Sequence, residues 1–134
     1  MKKQLLVILS FLVLISCSSI KNTQEAISTG NYDRAIDIAI NNLKRNKTKK
    51  GNQPYVLMLE EAFVKATLRD LERISYLKKD QNPENLENIF VLYQNLKNRQ
   101  ERIKPLLPLS ILSKGRNANF KFSNYNDEII ASKN

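Results

Sequence analysis

The chain has no histidine, no tryptophan, one cysteine and three glycines in 134 residues. Without histidine, Ser-His-Asp and Cys-His nucleophile systems are excluded, as are His-ligated metal sites. One cysteine excludes an internal disulfide and every CxxC metal or redox motif. The few glycines leave no Walker A string and no GxGxxG string to cradle a phosphate. Catalysis would therefore rest on carboxylates, Tyr, Lys or Arg. The acidic pairs Glu60-Glu61, Glu84 with Glu87, and Asp127-Glu128 are the candidates. Adjacent helical residues point about 100° apart. Glu84 and Glu87 fall in a first turn, where the helix dipole explains both. No catalytic residue, metal site, cofactor or small-molecule substrate emerges, and the chain reads as a non-enzyme.

What is present is basic charge and an organised start. The formal net charge is +9. Met1-Lys2-Lys3 is a positive opening, and Leu5 to Ile15 is apolar except for Ser10. At about 1.5 Å per residue this run is too short to span a hydrocarbon core of about 30 Å. A charged start, a short apolar run and then small residues form the pattern of a secretory signal.

The lone cysteine closes that run. Leu14-Ile15-Ser16-Cys17 resembles the lipobox of bacterial lipoproteins. The resemblance covers about the first twenty residues and joins three features: the Lys-Lys start, the apolar run and the placed cysteine. It implies cleavage between Ser16 and Cys17 and a diacylglycerol on the Cys17 thiol, with further acylation of the new amine. Two or three acyl chains hold a membrane far more firmly than one, since each buried methylene adds about 0.8 kcal/mol. Ser18 stands where Asp marks inner-membrane retention in that family, and no acid lies between Ser18 and Asn22. The resemblance thus implies an outer-membrane anchor facing the periplasm.

The rest of the chain reads as helices. Residues 18 to 22 are a polar tether. Thr23 to Thr29 forms a short helix ending at Gly30, and Asn31 is a candidate N-cap for the next. Tyr32, Ala35, Ile36, Ala39, Ile40 and Leu43 recur at helical period and predict a helix over 32–45. Pro54 suits a first turn, capped by Asn52 or Gln53. Residues 55 to 79 predict a long helix with the stripe Leu59, Phe63, Ala66, Leu71, Ile74 and Leu77, widened by Val64 and Leu68. Asn82-Pro83-Glu84 starts a further helix that Pro105 ends. Its stripe is Leu86, Ile89, Phe90, Tyr93, Leu96 and Ile103.

Beyond it, Lys104 to Leu109 reads as extended and Ser110 to Asn119 as a loop turning at Lys114-Gly115. Phe120 and Phe122 alternate with polar residues in a segment pinned by its aromatics. A last helix over 128–133 is marginal alone. It docks on the rest, or the sequence is a piece of a longer chain. The expected organisation is a signal over 1–16, a lipidated tether over 17–22, an all-α domain of short antiparallel hairpins over 23–104, and an irregular segment over 105–134.

Ala26 to Ile36 resembles the centre of a tetratricopeptide repeat. Gly30, Tyr32 and Ala35 match the turn glycine, the aromatic opening the second helix and the small packing residue. Leu43 matches a late apolar position, whereas Ala39 and Asn42 depart from the pattern. The resemblance implies a helical-hairpin binding surface through Tyr32, Ala35, Ala39 and Leu43, with another envelope protein as partner. An ordinary hairpin built of good packing residues is the other reading. A tetratricopeptide array stacks several units, and one partial unit is visible.

Lys44, Arg45, Lys47, Lys49 and Lys50 form a dense basic loop. Behind a secretory signal such a cluster argues against nucleic acid. It reads as a solvated loop, or as a contact with anionic headgroups or other envelope polyanions. The expected function is a membrane-anchored, non-catalytic interaction or scaffold module. The alternative is a spacer lipoprotein whose basic loop lies on the membrane.

Overall fold

The computed structural model describes residues 2–133, with side chains for 2–7 and 18–133. Ser16 and Cys17, the expected cleavage and lipidation positions, lie outside the described side chains. Among the described residues five α-helices follow one another: α1 (Lys2–Ser28), α2 (Tyr32–Arg45), α3 (Gln53–Lys79), α4 (Asn85–Ile103) and α5 (Asn126–Ser132). The fold is all-α with antiparallel neighbours, as the hydrophobic periodicity requires. Among the described residues, no helix is long and apolar enough to cross a membrane.

The first hairpin turns at Gly30. Its φ of +80° suits a residue without Cβ, and the Asn31 N–H donates to the Ala26 carbonyl at 2.8 Å. Asn31 makes no side-chain cap bond. At the other end of this hairpin, Asn42 Nδ2 donates to Ser19 Oγ at 3.5 Å. α1 therefore extends back through the segment expected to be a tether. Among its described side chains, Ile20, Thr23, Ala26 and Ile27 pack inward.

α2 buries Ala35, Ile36, Ala39, Ile40 and Leu43 against α1 and α3. This stripe matches the sequence expectation except at Tyr32, which is only half-buried. α3 begins at Gln53, with Pro54 in its first turn. Tyr55, Val56, Leu59, Ala62, Phe63 and Ala66 supply the middle of the core. Ile74 and Leu77 of α3 join Ile89, Tyr93 and Leu96 of α4, with Tyr125 covering them, in a second cluster.

The segment after α4 is strapped along α3. A short 3-10 turn spans Lys104–Leu106. A two-residue hairpin follows, β1 (Ser110–Ile111) pairing antiparallel with β2 (Arg116–Asn117). Leu106, Leu109, Ile111 and Phe120 belong to the same core cluster as α2 and α3. Phe63 meets Phe120 edge-on, ring centroids 5.4 Å apart, and Phe122 at 5.9 Å. Polar side chains hold the backbone of this strap. Gln53 Nε2 donates to the Ser110 carbonyl, while its Oε1 accepts from the Leu112 N–H. Gln100 treats the carbonyl and N–H of Ser123 in the same way, both at 2.8 Å. A carboxamide carries one acceptor and a donor pair, so it substitutes for a neighbouring strand. α5 docks antiparallel on α4 through Tyr93 with Tyr125 and Lys97 with Asn126.

Candidate functional site

The most densely charged locus is an ion cluster joining α2, α3 and α4. Arg99 and Asp70 are 4% and 3% exposed. Arg99 Nη2 donates to Asp70 Oδ2 at 2.8 Å and to Asp33 Oδ1 at 2.9 Å, and its Nε reaches the same Asp33 oxygen at 3.1 Å. Arg69 closes the ring, with Nη2 on Asp33 Oδ2 at 2.9 Å and Nε on Asp70 Oδ1 at 2.9 Å. The Arg69 guanidinium also lies over the Tyr32 ring, 5.6 Å from its centroid. Arg99 Nη1 is buried, with no hydrogen-bond partner among the described residues.

Desolvation pushes the Asp33 carboxyl up, but hydrogen bonds from Arg69 and Arg99 and their charges outweigh it, so its pKa is lowered. For Arg69, desolvation is likewise outweighed by Asp33 and Asp70, and the pKa rises. Every carboxylate oxygen here is held by an arginine. The cluster's chemistry is that of a clamp on three helices.

A second carboxylate fastens the strap. Glu60 accepts from both Arg116 Nη atoms, at 2.8 and 2.9 Å, and from the Asn119 N–H. The bond from Arg116 lowers the Glu60 pKa most, against a smaller rise from desolvation. Glu61 faces elsewhere and pairs with Lys65 at 2.7 Å. The two acids point apart as their adjacency requires. Asp33 and Glu60 both have pKa values lowered by folding. Their stabilisation is present above the unfolded-state pKa, about 4, and is lost as pH falls through the lower folded values. The unfolding midpoint should therefore hold steady from neutrality down to about pH 4 and then drop. Glu60→Gln should flatten part of that drop; an unchanged acid limb in thermal melts would contradict the assignment.

The structure corrects the expected interaction surface. Ala35 and Ala39 are 0% exposed and Leu43 is 2% exposed. They face α1 and α3 in the core because they lie on the stripe whose burial makes α2 fold. Tyr32 is half-buried under Arg69. None of the three aliphatic residues is open to a partner.

Three of the open apolar residues form a row on the outer face of α3. Val64 and Leu68 are each 55% exposed and Leu71 is 39% exposed. The sequence reading placed all three in the buried face. The buried row instead runs Leu59, Phe63, Ala66, Asp70, Ile74, Leu77. Asp70, not Leu71, occupies the inward position, because Arg99 of α4 meets it there.

The basic loop divides. Lys44 and Arg45 end α2, and they are exposed with Lys49 and Lys50. Lys47 turns inward, and its Nζ donates to the carbonyls of Leu106 at 3.1 Å and Pro108 at 3.2 Å. It is a fastener for the strap. Among the described residues no group of Asp, Glu, His or Cys is arranged to hold a metal ion.

Compared with known proteins, the chain matches no family model, no curated protein and no solved structure.

Proposed function

We propose that the chain is a non-catalytic lipoprotein of the bacterial cell envelope, held by acyl chains on Cys17 and presenting a helical scaffold to another envelope protein. The observation that carries this reading is where the described core lies. Among the described side chains, Lys2 to Val7 are exposed, and those of α1 that touch the core run from Ser19 and Ile20 onward. All the described core residues lie from Ile20 onward, so cleavage before Cys17 removes none of them. The placement of the basic leader, apolar run and cysteine then fits export, removal of the leader and lipidation.

The charged groups support a structural role. Asp33, Asp70 and Glu60 are engaged in holding helices and strap together. Val64, Leu68 and Leu71 recur at spacings of four and three along α3, a row that a helix of the partner protein fills. The outer membrane, facing the periplasm, is the proposed location, resting on Ser18. Labelled fatty acid is expected in the wild type and not in Cys17→Ser, read by gel autoradiography; equal labelling of both sinks the anchor. A photo-crosslinker at Leu68 should give one discrete adduct in cells, and Leu71→Asp should remove it. No adduct from Leu68 would refute the α3 face as the contact.

A further inference from the structure

The lipid anchor and the basic loop are far apart in sequence, yet the fold brings them to one end. Asn42 on Ser19 sets the last turn of α2 beside the Ser19 turn of α1. Ser19 is two residues from Cys17, a reach of at most about 7 Å. Asn52 Nδ2 ties the α2–α3 connection by donating to the Asn46 carbonyl at 2.6 Å. Lys47 draws in Leu106 and Pro108, and Gln53 draws in Ser110 and Leu112. Three stretches of chain, around residues 18–22, 42–53 and 106–117, therefore share this end.

The same end is nearly free of acid. No Asp or Glu occurs between Asp37 and Glu60, or between Glu101 and Asp127. Glu25, Asp37, Glu60 and Glu101 flank these stretches, and three of them are matched, Asp37 by Arg102, Glu60 by Arg116 and Glu101 by Lys104. Lys21, Lys44, Arg45, Lys49, Lys50 and Lys114 are all exposed. Leu112, 59% exposed, stands beside Lys114 in the turn between β1 and β2. Acids gather instead toward the opposite end, at Asp80, Glu84 and Glu87 near the junction of α3 and α4.

We infer that this basic end is a docking face for anionic phospholipid headgroups, which seats the domain on the membrane with the far end of α3 pointing away. The inference rests on the anchor reading, because acyl chains on Cys17 would hold this end, and no other, within reach of the bilayer. Six cations at contact distance interact with a charged leaflet that is screened only over about a Debye length, about 10 Å at 0.1 M salt. α3 spans about 40 Å, so Lys79 lies well beyond that range. Leu112 would enter the headgroup layer beside Lys114.

The test uses the processed lipoprotein reconstituted in vesicles of phosphatidylglycerol or of phosphatidylcholine. The anchor holds it on both, and only headgroup charge differs. Each lysine is scored by amine-reactive labelling and mass spectrometry. An anionic surface favours the ammonium form, and only the neutral amine reacts. Lys21, Lys44, Lys49, Lys50 and Lys114 should react several-fold more slowly on phosphatidylglycerol. Lys79, and Lys133 over the Phe90 ring in the first half of α4, should react equally on both, and excess salt should erase the difference. Equal reactivity of every lysine on the two surfaces overturns the inference, and so does slowing confined to Lys79 and Lys133. The mass of the N-terminal peptide reads the anchor separately. A missing acyl chain refutes the anchor while the lysine pattern still decides the face.

Discussion

Asp70→Ala is expected to destabilise the fold by about 3–5 kcal/mol, the loss typical of removing one partner from a buried ion pair. Arg99 would keep Asp33, which is more than half exposed, but lose the carboxylate that shares its buried site. Arg99 Nη1 already lacks a partner among the described residues, so a second unmet donor beside it adds to the cost. Arg99→Met should be milder, since Asp70 retains the bond from Arg69. The double variant Asp70→Leu with Arg99→Met should recover much of the loss, because an apolar pair of similar volume needs no desolvation compensated. Urea unfolding of the wild type, Asp70→Leu, Arg99→Met and the double variant closes the cycle. Losses that simply add, with no coupling energy, would show that the pair does not act as a unit.

This pair also explains where the sequence was readable and where it was not. The α2 stripe was legible because every inward position is aliphatic and the period is unbroken. In α3 the inward row contains an acid. A reading by hydrophobicity steps over Asp70 to the next leucine, and that single step moves Leu71, with Val64 and Leu68, onto the wrong face. In α4, Leu96 and Ile103 are seven apart, and Arg99 and Gln100 fill the inward turn between them. The signal was available as two polar interruptions in two stripes, one acid and one base. Pairing them requires knowing that the helices run antiparallel at that register, which no local pattern supplies.

The strap was harder still. Its backbone is held by Gln53, Glu60 and Gln100 and by Lys47, whose partners lie 23 to 61 residues away. Phe120 and Phe122 announced that the segment is pinned, and Phe63 proves to be what they meet. Lys47 looked like one more cation of a charged loop. Its inward turn follows from two carbonyls of the Leu106–Pro108 stretch that need a donor. For the proposed site, the lipobox-like string Leu14 to Cys17 was visible at once. The convergence of its end of the chain with the basic loop was visible only through the antiparallel pairing of α1 and α2.

The strap's dependence on Phe63 gives the other large effect. Phe63→Ala is expected to cost about 3–5 kcal/mol, the range for removing a buried phenyl ring from a core. Phe63 is 2% exposed, and it holds the two aromatics of the strap edge-on. Phe120 and Phe122 are nearly parallel, 6.3 Å apart, so neither can swing into the space without giving up its contact with the other. The cavity should therefore stay partly open, which places the loss toward the upper part of that range. Phe122→Ala should cost less, since that side chain is only half-buried. The polar fasteners at Glu60 and Gln100 would remain, and the strap should loosen between them. Amide exchange at residues 120–122 should speed up more than exchange in α2, measured by mass spectrometry at neutral pH. A loss below about 1 kcal/mol, with exchange in the strap unchanged, would mean that the polar bonds alone secure this segment and that the aromatic cluster is incidental.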